Sequence, residues 1–93
     1  MVNVVATITV IDGKTEEYSK HARIMVAETV KEKGCIMYEF CQSKDDPLKF
    51  AMIEKWESQE ALEAHFGSAH FKEFVSSIEG LAIVKAVDQY SVL

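Results

Sequence analysis

The chain is short of proline, glycine, cysteine and arginine, with one, four, two and one of each in 93 residues. Each shortage excludes something. With so few proline and glycine residues there is no stretch that reads as a linker, and no repeat or low-complexity tract is present. Residues 1–93 are therefore expected to form a single domain. Arg23 is the sole arginine, and ten basic residues face fifteen acidic ones for a net charge of −5. That balance argues against nucleic acid as a partner, because phosphate binding needs clustered Lys and Arg. No apolar run approaches the roughly 20 residues that span a bilayer, so no membrane association is expected. No basic segment precedes an apolar stretch at the start, so no signal peptide is expected. Cys35 and Cys41 fall in one predicted strand, roughly 20 Å apart at about 3.3 Å per residue. A disulfide needs Cα atoms within about 7 Å. Two free thiols fit a reducing compartment, and the expected location is the cytoplasm.

What is present reads as alternating strands and helices. VNVVATITVI (2–11) is β-branched and apolar and ends at Asp12-Gly13, a strand and a turn. From Lys14 to Lys33, residues Tyr18, Ala22, Met25, Val26, Thr29 and Val30 recur at three- and four-residue spacing. That pattern predicts a helix of about five turns, with Glu16 and Glu17 in its first turn, Lys31 and Lys33 in its last, and Gly34 as a left-handed stop. CIMYEFCQS (35–43) and LKFAMIEKWE (48–57) alternate around the turn KDDP and predict a hairpin. Ser58 is a helix cap for SQEALEAHF, Gly67 ends that helix, and Ser68 caps a further one over AHFKEFVSSI. AIVKAVDQYSVL (82–93) is a final strand. The order is β-α-β-β-α-β, a ferredoxin-like α+β fold with an antiparallel sheet, its second helix broken at Gly67-Ser68. Helices cover only one face of such a sheet. Since the strands are apolar on both faces, with Val5, Ile11, Ala51 and Ile53 on the second, a homodimer buried through its sheets is expected.

The segment EKWESQEALEAHFGSAHFKEF (54–74) holds two histidines, His65 and His70. Five residues on an unbroken helix is about 140° of rotation, so the pair lacks the i, i+4 spacing of a zinc helix. No metal site is expected. His65 follows Ala61 and Leu62 and borders the apolar stripe of its helix, where a histidine is ordinarily a hydrogen-bonded residue at the core edge. His70 lies in the first turn of the helix that Ser68 caps, where the dipole favours neutral imidazole. Period 2 puts Glu54 on one strand face with Phe50, Met52 and Trp56. A carboxylate among those neighbours needs a partner, expected to be a charge on an adjacent strand or across the dimer.

EKGCIMYEF (32–40), DDP (45–47), IEKWES (53–58) and EALEAHFGSAHFKEF (60–74) together resemble the antibiotic biosynthesis monooxygenase family of small dimeric α+β barrels. The resemblance implies a pocket between sheet and helices. It places the family's two histidines at His65 and His70, its third-strand glutamate and tryptophan at Glu54 and Trp56, and its second-strand aromatic at Tyr38. The implied activity is cofactor-independent oxidation of a small electron-rich aromatic, a quinol or phenolic polyketide, by O₂. His65 would be the base, with Glu54 or His70 orienting it or the substrate hydroxyl. Trp56, Tyr38 and Phe50 would form stacking walls, with Met52 beside them. The haem-degrading branch of the family uses an asparagine, a tryptophan and a histidine where this chain has Thr7, His65 and Val75, so haem oxygenation is not expected. No G-x-G-x-x-G occurs, and no flavin or nicotinamide is expected. Two other readings stay open: an enolising isomerase on a small carbonyl compound, which if phosphorylated would need lysines such as Lys49, Lys55 or Lys72 near the pocket, and a non-catalytic dimeric ligand-binding or stress protein.

Overall fold

A computed structural model describes residues 1–93. Seven elements follow one another: β1 (Val2–Val10), α1 (Thr15–Thr29), β2 (Cys35–Gln42), β3 (Lys49–Trp56), α2 (Gln59–Phe66), α3 (Ala69–Ser77) and β4 (Ala82–Ser91). The four strands form one antiparallel sheet in the order β2-β3-β1-β4, so the fold is the ferredoxin-like α+β arrangement. The second helical segment is split as expected. Ser58 accepts from the Ala61 N–H and Ser68 from the Phe71 N–H, each capping its own short helix.

Alternation along the strands divides the sheet into two faces. Val4, Ile8 and Val10 of β1, Tyr38 of β2, and Phe50, Met52, Glu54 and Trp56 of β3 are buried against the helices. The register pairs Val4 with Glu54, Ile8 with Phe50 and Tyr38 with Glu54, so these residues share one inner face. Tyr18 of α1 completes one end of the core, its ring within 5.4 to 6.2 Å of Phe40, Phe50 and Phe74. On the outer face Val5 opposes Ile53, which is 38% exposed. The last strand is barely covered by helices. Val84 and Val87 pair with Ile8 and Ala6 on the inner side, yet both stay exposed.

The first helix is shorter than its periodicity predicts. It ends at Thr29, whose hydroxyl donates to the Met25 carbonyl at 2.7 Å, and its last turn contains no basic residue. Lys31 and Lys33 lie beyond it, and Val30 is exposed rather than part of the stripe. A tight turn follows, with the Glu32 N–H donating to Thr29 and the Cys35 N–H to Glu32. The apolar spacing runs through this turn because a turn closed by such i→i+3 bonds nearly preserves helical periodicity.

Candidate active site

That turn builds the site. Gly34 sits at φ +88°, a left-handed conformation that side chains disfavour. A Cβ there would also come within 2.5 Å of the Ala61 Cβ on α2. The glycine lets the turn lie directly against α2, and the Gly34 carbonyl accepts from the Glu57 N–H at 2.8 Å. This close approach brings the Glu32 carboxylate over the Gly67-Ser68 break, where both histidines meet it.

One oxygen of Glu32 takes both imidazoles: His65 Nδ1 lies at 2.6 Å and His70 Nε2 at 2.7 Å. The surrounding bonds assign the tautomers. The Ser68 hydroxyl donates to the His65 carbonyl at 2.7 Å and accepts from the Phe71 N–H. Its oxygen is therefore an acceptor toward His70 Nε2, which lies 3.3 Å away. With two acceptors before it, His70 Nε2 carries a hydrogen. His65 Nδ1, facing the same carboxylate, carries one too. His65 Nε2 is left with a bare lone pair, buried and without a partner.

His65 is wholly buried, not at the core edge as its spacing suggests. Four aromatic rings surround it: Trp56 at 4.9 Å, Phe71 at 5.0 Å, Tyr38 at 5.4 Å and Phe66 at 5.8 Å between centroids. Burial pushes its pKa below the ordinary 6.5. The bond and charge of Glu32 pull it back up in part, while His70 adds to the lowering. The group is thus held neutral with its proton on the Glu32 side, the state in which it can accept another.

Glu54 is the second buried polar group on this face. Within the chain its partner is not a charge on a neighbouring strand: Trp56 Nε1–H donates to its Oε1 at 2.9 Å, and it takes part in no ion pair there. Burial pushes its pKa from 4.5 up to about 7, against the lowering effect of the Trp56 bond, and the Glu32 charge adds to the rise. Burial also raises the Tyr38 hydroxyl far above its usual range, with Glu54 adding to it. Tyr38 instead donates to the Met25 sulfur at 3.3 Å.

The structure thus gathers His65, His70, Trp56 and Tyr38, and ties Glu54 to them through the indole. It places Phe50 elsewhere. That ring stacks on Phe40 at 5.3 Å and packs against Tyr18, away from the histidines, and Met52 is a core residue on the same strand face. Neither Glu54 nor His70 orients His65. Glu32 does, and the sequence pattern gave it no role. The one signal was an acidic residue between Lys31 and Lys33, immediately before a left-handed glycine.

Glu32, His65 and His70 also bring three potential metal ligands within 4.8 Å of one another. The fit to a metal is poor. A ligating imidazole would carry its hydrogen on the other nitrogen, and His65 Nε2 has no acceptor for it.

A groove of about 420 Å³ opens between α1 and α3, with His70, Met25 and Phe74 on its inner wall and His21, Glu28 and Glu73 toward the rim. Met25 lines it and its sulfur accepts from the Tyr38 hydroxyl, so one flexible thioether touches both the groove and the ring cluster around His65.

A small antiparallel α+β domain with a carboxylate-held histidine among aromatic rings defines the class, and comparison with known proteins places the chain within it. The family profile described as "Antibiotic biosynthesis monooxygenase" matches residues 1–77, and the chain belongs to that family. It is 32% identical over 76 residues to the Bacillus subtilis protein named "Putative monooxygenase YcnE", covering 82% of this chain and 80% of that one. It is also 32% identical over 72 residues to an uncharacterized Synechocystis protein, of which it spans 49%. Among solved structures, PA3566 of Pseudomonas aeruginosa superposes with a TM-score of 0.87 at 35% identity, covering 99% and 93% of the two chains. Rv0793 of Mycobacterium tuberculosis gives 0.91 at 26% identity, covering 99% and 94%.

Proposed function

We propose that the protein is a cofactor-independent monooxygenase that oxidises a small electron-rich phenol or quinol with O₂, using His65 as the base. The observation that carries this reading is the state of His65: Nδ1–H held by Glu32, and Nε2 bare among aromatic rings. A phenol entering from the α1/α3 groove displaces the Met25 side chain and stacks near Trp56 and Tyr38. His65 Nε2 takes the hydroxyl proton, and the imidazolium that forms is stabilised by Glu32. This is the role a carboxylate plays behind a catalytic histidine. His70 holds Glu32 from its other side. The phenolate then gives electrons to O₂ in a site whose walls exclude water. The test is oxygen consumption with a panel of quinols and phenols, comparing the unaltered protein with Glu32→Gln. Glu32→Gln should lower turnover substantially, because an amide cannot stabilise the imidazolium.

An isomerase that moves a proton next to a carbonyl is the second reading, favoured by the pairing of a neutral base with the high-pKa Glu54. It predicts turnover without oxygen uptake. A phosphorylated substrate fits less well, since the two carboxylates Glu32 and Glu54 are the charged side chains of the site apart from its histidines. A protein that binds phenols without consuming them would support the non-catalytic alternative.

The proposal includes a homodimer formed through the outer sheet face. The exposure of Ile53, Ile83 and Tyr90 on that face supports it. Sedimentation of a stable monomer at micromolar concentration would refute it. No helix is long and apolar enough to cross a membrane. The free thiols Cys35 and Cys41 favour a reducing compartment such as the cytoplasm.

A further inference from the structure

We infer that Glu54 is the general acid of this site, delivering a proton to the distal oxygen of a substrate peroxide as the O–O bond breaks. The inference rests on the oxygenase reading and adds the step that reading lacks. Deprotonation and addition of O₂ form a C–O bond and leave a peroxide on the ring carbon. The peroxide must still lose its distal oxygen. His65 passes the hydroxyl proton to the peroxide and, neutral again, takes the hydrogen on that carbon as a proton. The electron pair enters a new C=O bond, and the O–O bond breaks. The leaving oxygen departs as hydroxide unless a proton meets it. The balance is one ring C–H and one O₂ giving one carbonyl and one water. The ring loses four electrons and the two oxygen atoms gain them. Two protons leave the substrate, one from its hydroxyl and one from its ring, and two appear in the water.

A proton donor in this position must hold its proton at neutral pH, stay clear of cations that would ionise it, and lie against the same rings as the base. Glu54 meets each condition. It is 4% exposed, and the donor it meets is the neutral indole of Trp56. That indole also packs on His65, so one ring joins the acid to the base. The groups facing Glu54 from neighbouring elements are Tyr38 across the strand pair, Cys35 at the start of β2 and Glu32 in the turn. None is cationic. Burial holds the carboxyl at a pKa of about 7, so a large share of it is protonated in neutral solution. Once the proton is given, the Trp56 N–H remains to stabilise the carboxylate, and the proton gained by His65 balances the one Glu54 lost. The arrangement is a buried carboxylic acid kept as a donor by its apolar setting.

Glu54→Gln tests this, because the amide oxygen can still accept from Trp56 while the side chain cannot transfer a proton. With naphthohydroquinone and O₂ as the probe, the variant should form the oxygen-inserted product, hydroxynaphthoquinone, roughly 10²-fold more slowly, the lower end of what a positioned acid contributes. It should accumulate organic hydroperoxide that the unaltered protein does not. Glu54→Asp should recover part of the rate. Infrared difference spectra between the unaltered protein and Glu54→Gln should show a protonated-carboxyl band that fades as pH rises through about 7. Unchanged product formation in Glu54→Gln, or absence of that band, overturns the assignment while leaving His65 in place. If the unaltered protein consumes no oxygen with any phenol, the oxygenase reading itself fails, and the step given to Glu54 fails with it.

Discussion

Replacing Glu54 with glutamine should make the protein more stable, and by an amount that depends on pH. A carboxyl whose pKa is 4.5 when unfolded and about 7 when folded binds its proton more tightly in the folded state. Its contribution to stability is fully present below 4.5 and is lost as pH rises through about 7. At 1.36 kcal/mol for each tenfold ratio, the gap amounts to roughly 3 kcal/mol, most of it lost between about pH 5 and pH 8. For a domain of this size each kcal/mol moves Tm by about 4–8 °C, so the alkaline loss is on the order of 10–20 °C. Glutamine keeps the Trp56 hydrogen bond and does not titrate. The Tm advantage of Glu54→Gln should therefore be small near about pH 5 and large near about pH 8. His65 works in the opposite sense. Its folded pKa is lowered below 6.5, so its contribution is present above 6.5 and falls away as pH drops. Because His65 is common to both proteins, its effect cancels in the difference. Thermal unfolding followed by circular dichroism at the two pH values is the measurement. An equal Tm difference at both would show that Glu54 does not titrate near 7, and the account of its burial would be wrong.

His65→Gln should lower oxygenase turnover by roughly 10²- to 10⁴-fold. The rising limb of the pH–rate profile should lie below 6.5 in the unaltered protein and vanish in the variant. His65→Ala is a poorer probe, since emptying a wholly buried site between Trp56 and Phe71 should also cost about 2 kcal/mol or more in denaturant unfolding. Gly34→Ala should destabilise by more than about 1 kcal/mol, because the residue has positive φ and its new Cβ would meet Ala61. Gly34→Ala with Ala61→Gly should recover the contact part of that loss and not the backbone part. Ser68→Ala should cost about 1 kcal/mol through loss of the α3 cap, and denaturant melts will show it.

Much of this fold was legible because its signals are local. Period-2 alternation in β3 correctly put Glu54 on the buried face with Trp56, and the serines at 58 and 68 marked both helix starts. Where the reading failed, the cause was not local. The spacing predicts a first helix four residues longer than the one found, because the apolar pattern carries on through the turn that follows Thr29. Spacing alone puts His65 at the core edge, because a helix's own periodicity cannot show what packs over it. Here the Glu32 turn and Phe71 of the next helix do so. Phe50 reads as part of the site because it shares a strand face with Trp56. Six residues at about 3.3 Å each put the two ends of that face roughly 20 Å apart, in different ring clusters.

The pair of histidines, five apart and each followed by phenylalanine, is explained by the break between them. On a continuous helix they would point apart, and no single carboxylate could reach both. Gly67 and Ser68 stop one helix and start the next, and Ser68 binds both ends of the junction, donating to the His65 carbonyl and capping α3 at Phe71. That reversal aims Nδ1 of one ring and Nε2 of the other at the same Glu32 oxygen. The consequence is a division of labour between chemically identical side chains. His65, sealed among four rings, has a free nitrogen facing the interior, while His70 lies on the wall of the α1/α3 groove and holds the carboxylate. The two phenylalanines follow from the same geometry. Phe66 and Phe71 meet edge to face at 5.3 Å beside His65, and their contact closes the interior at the one place where the helical layer is broken.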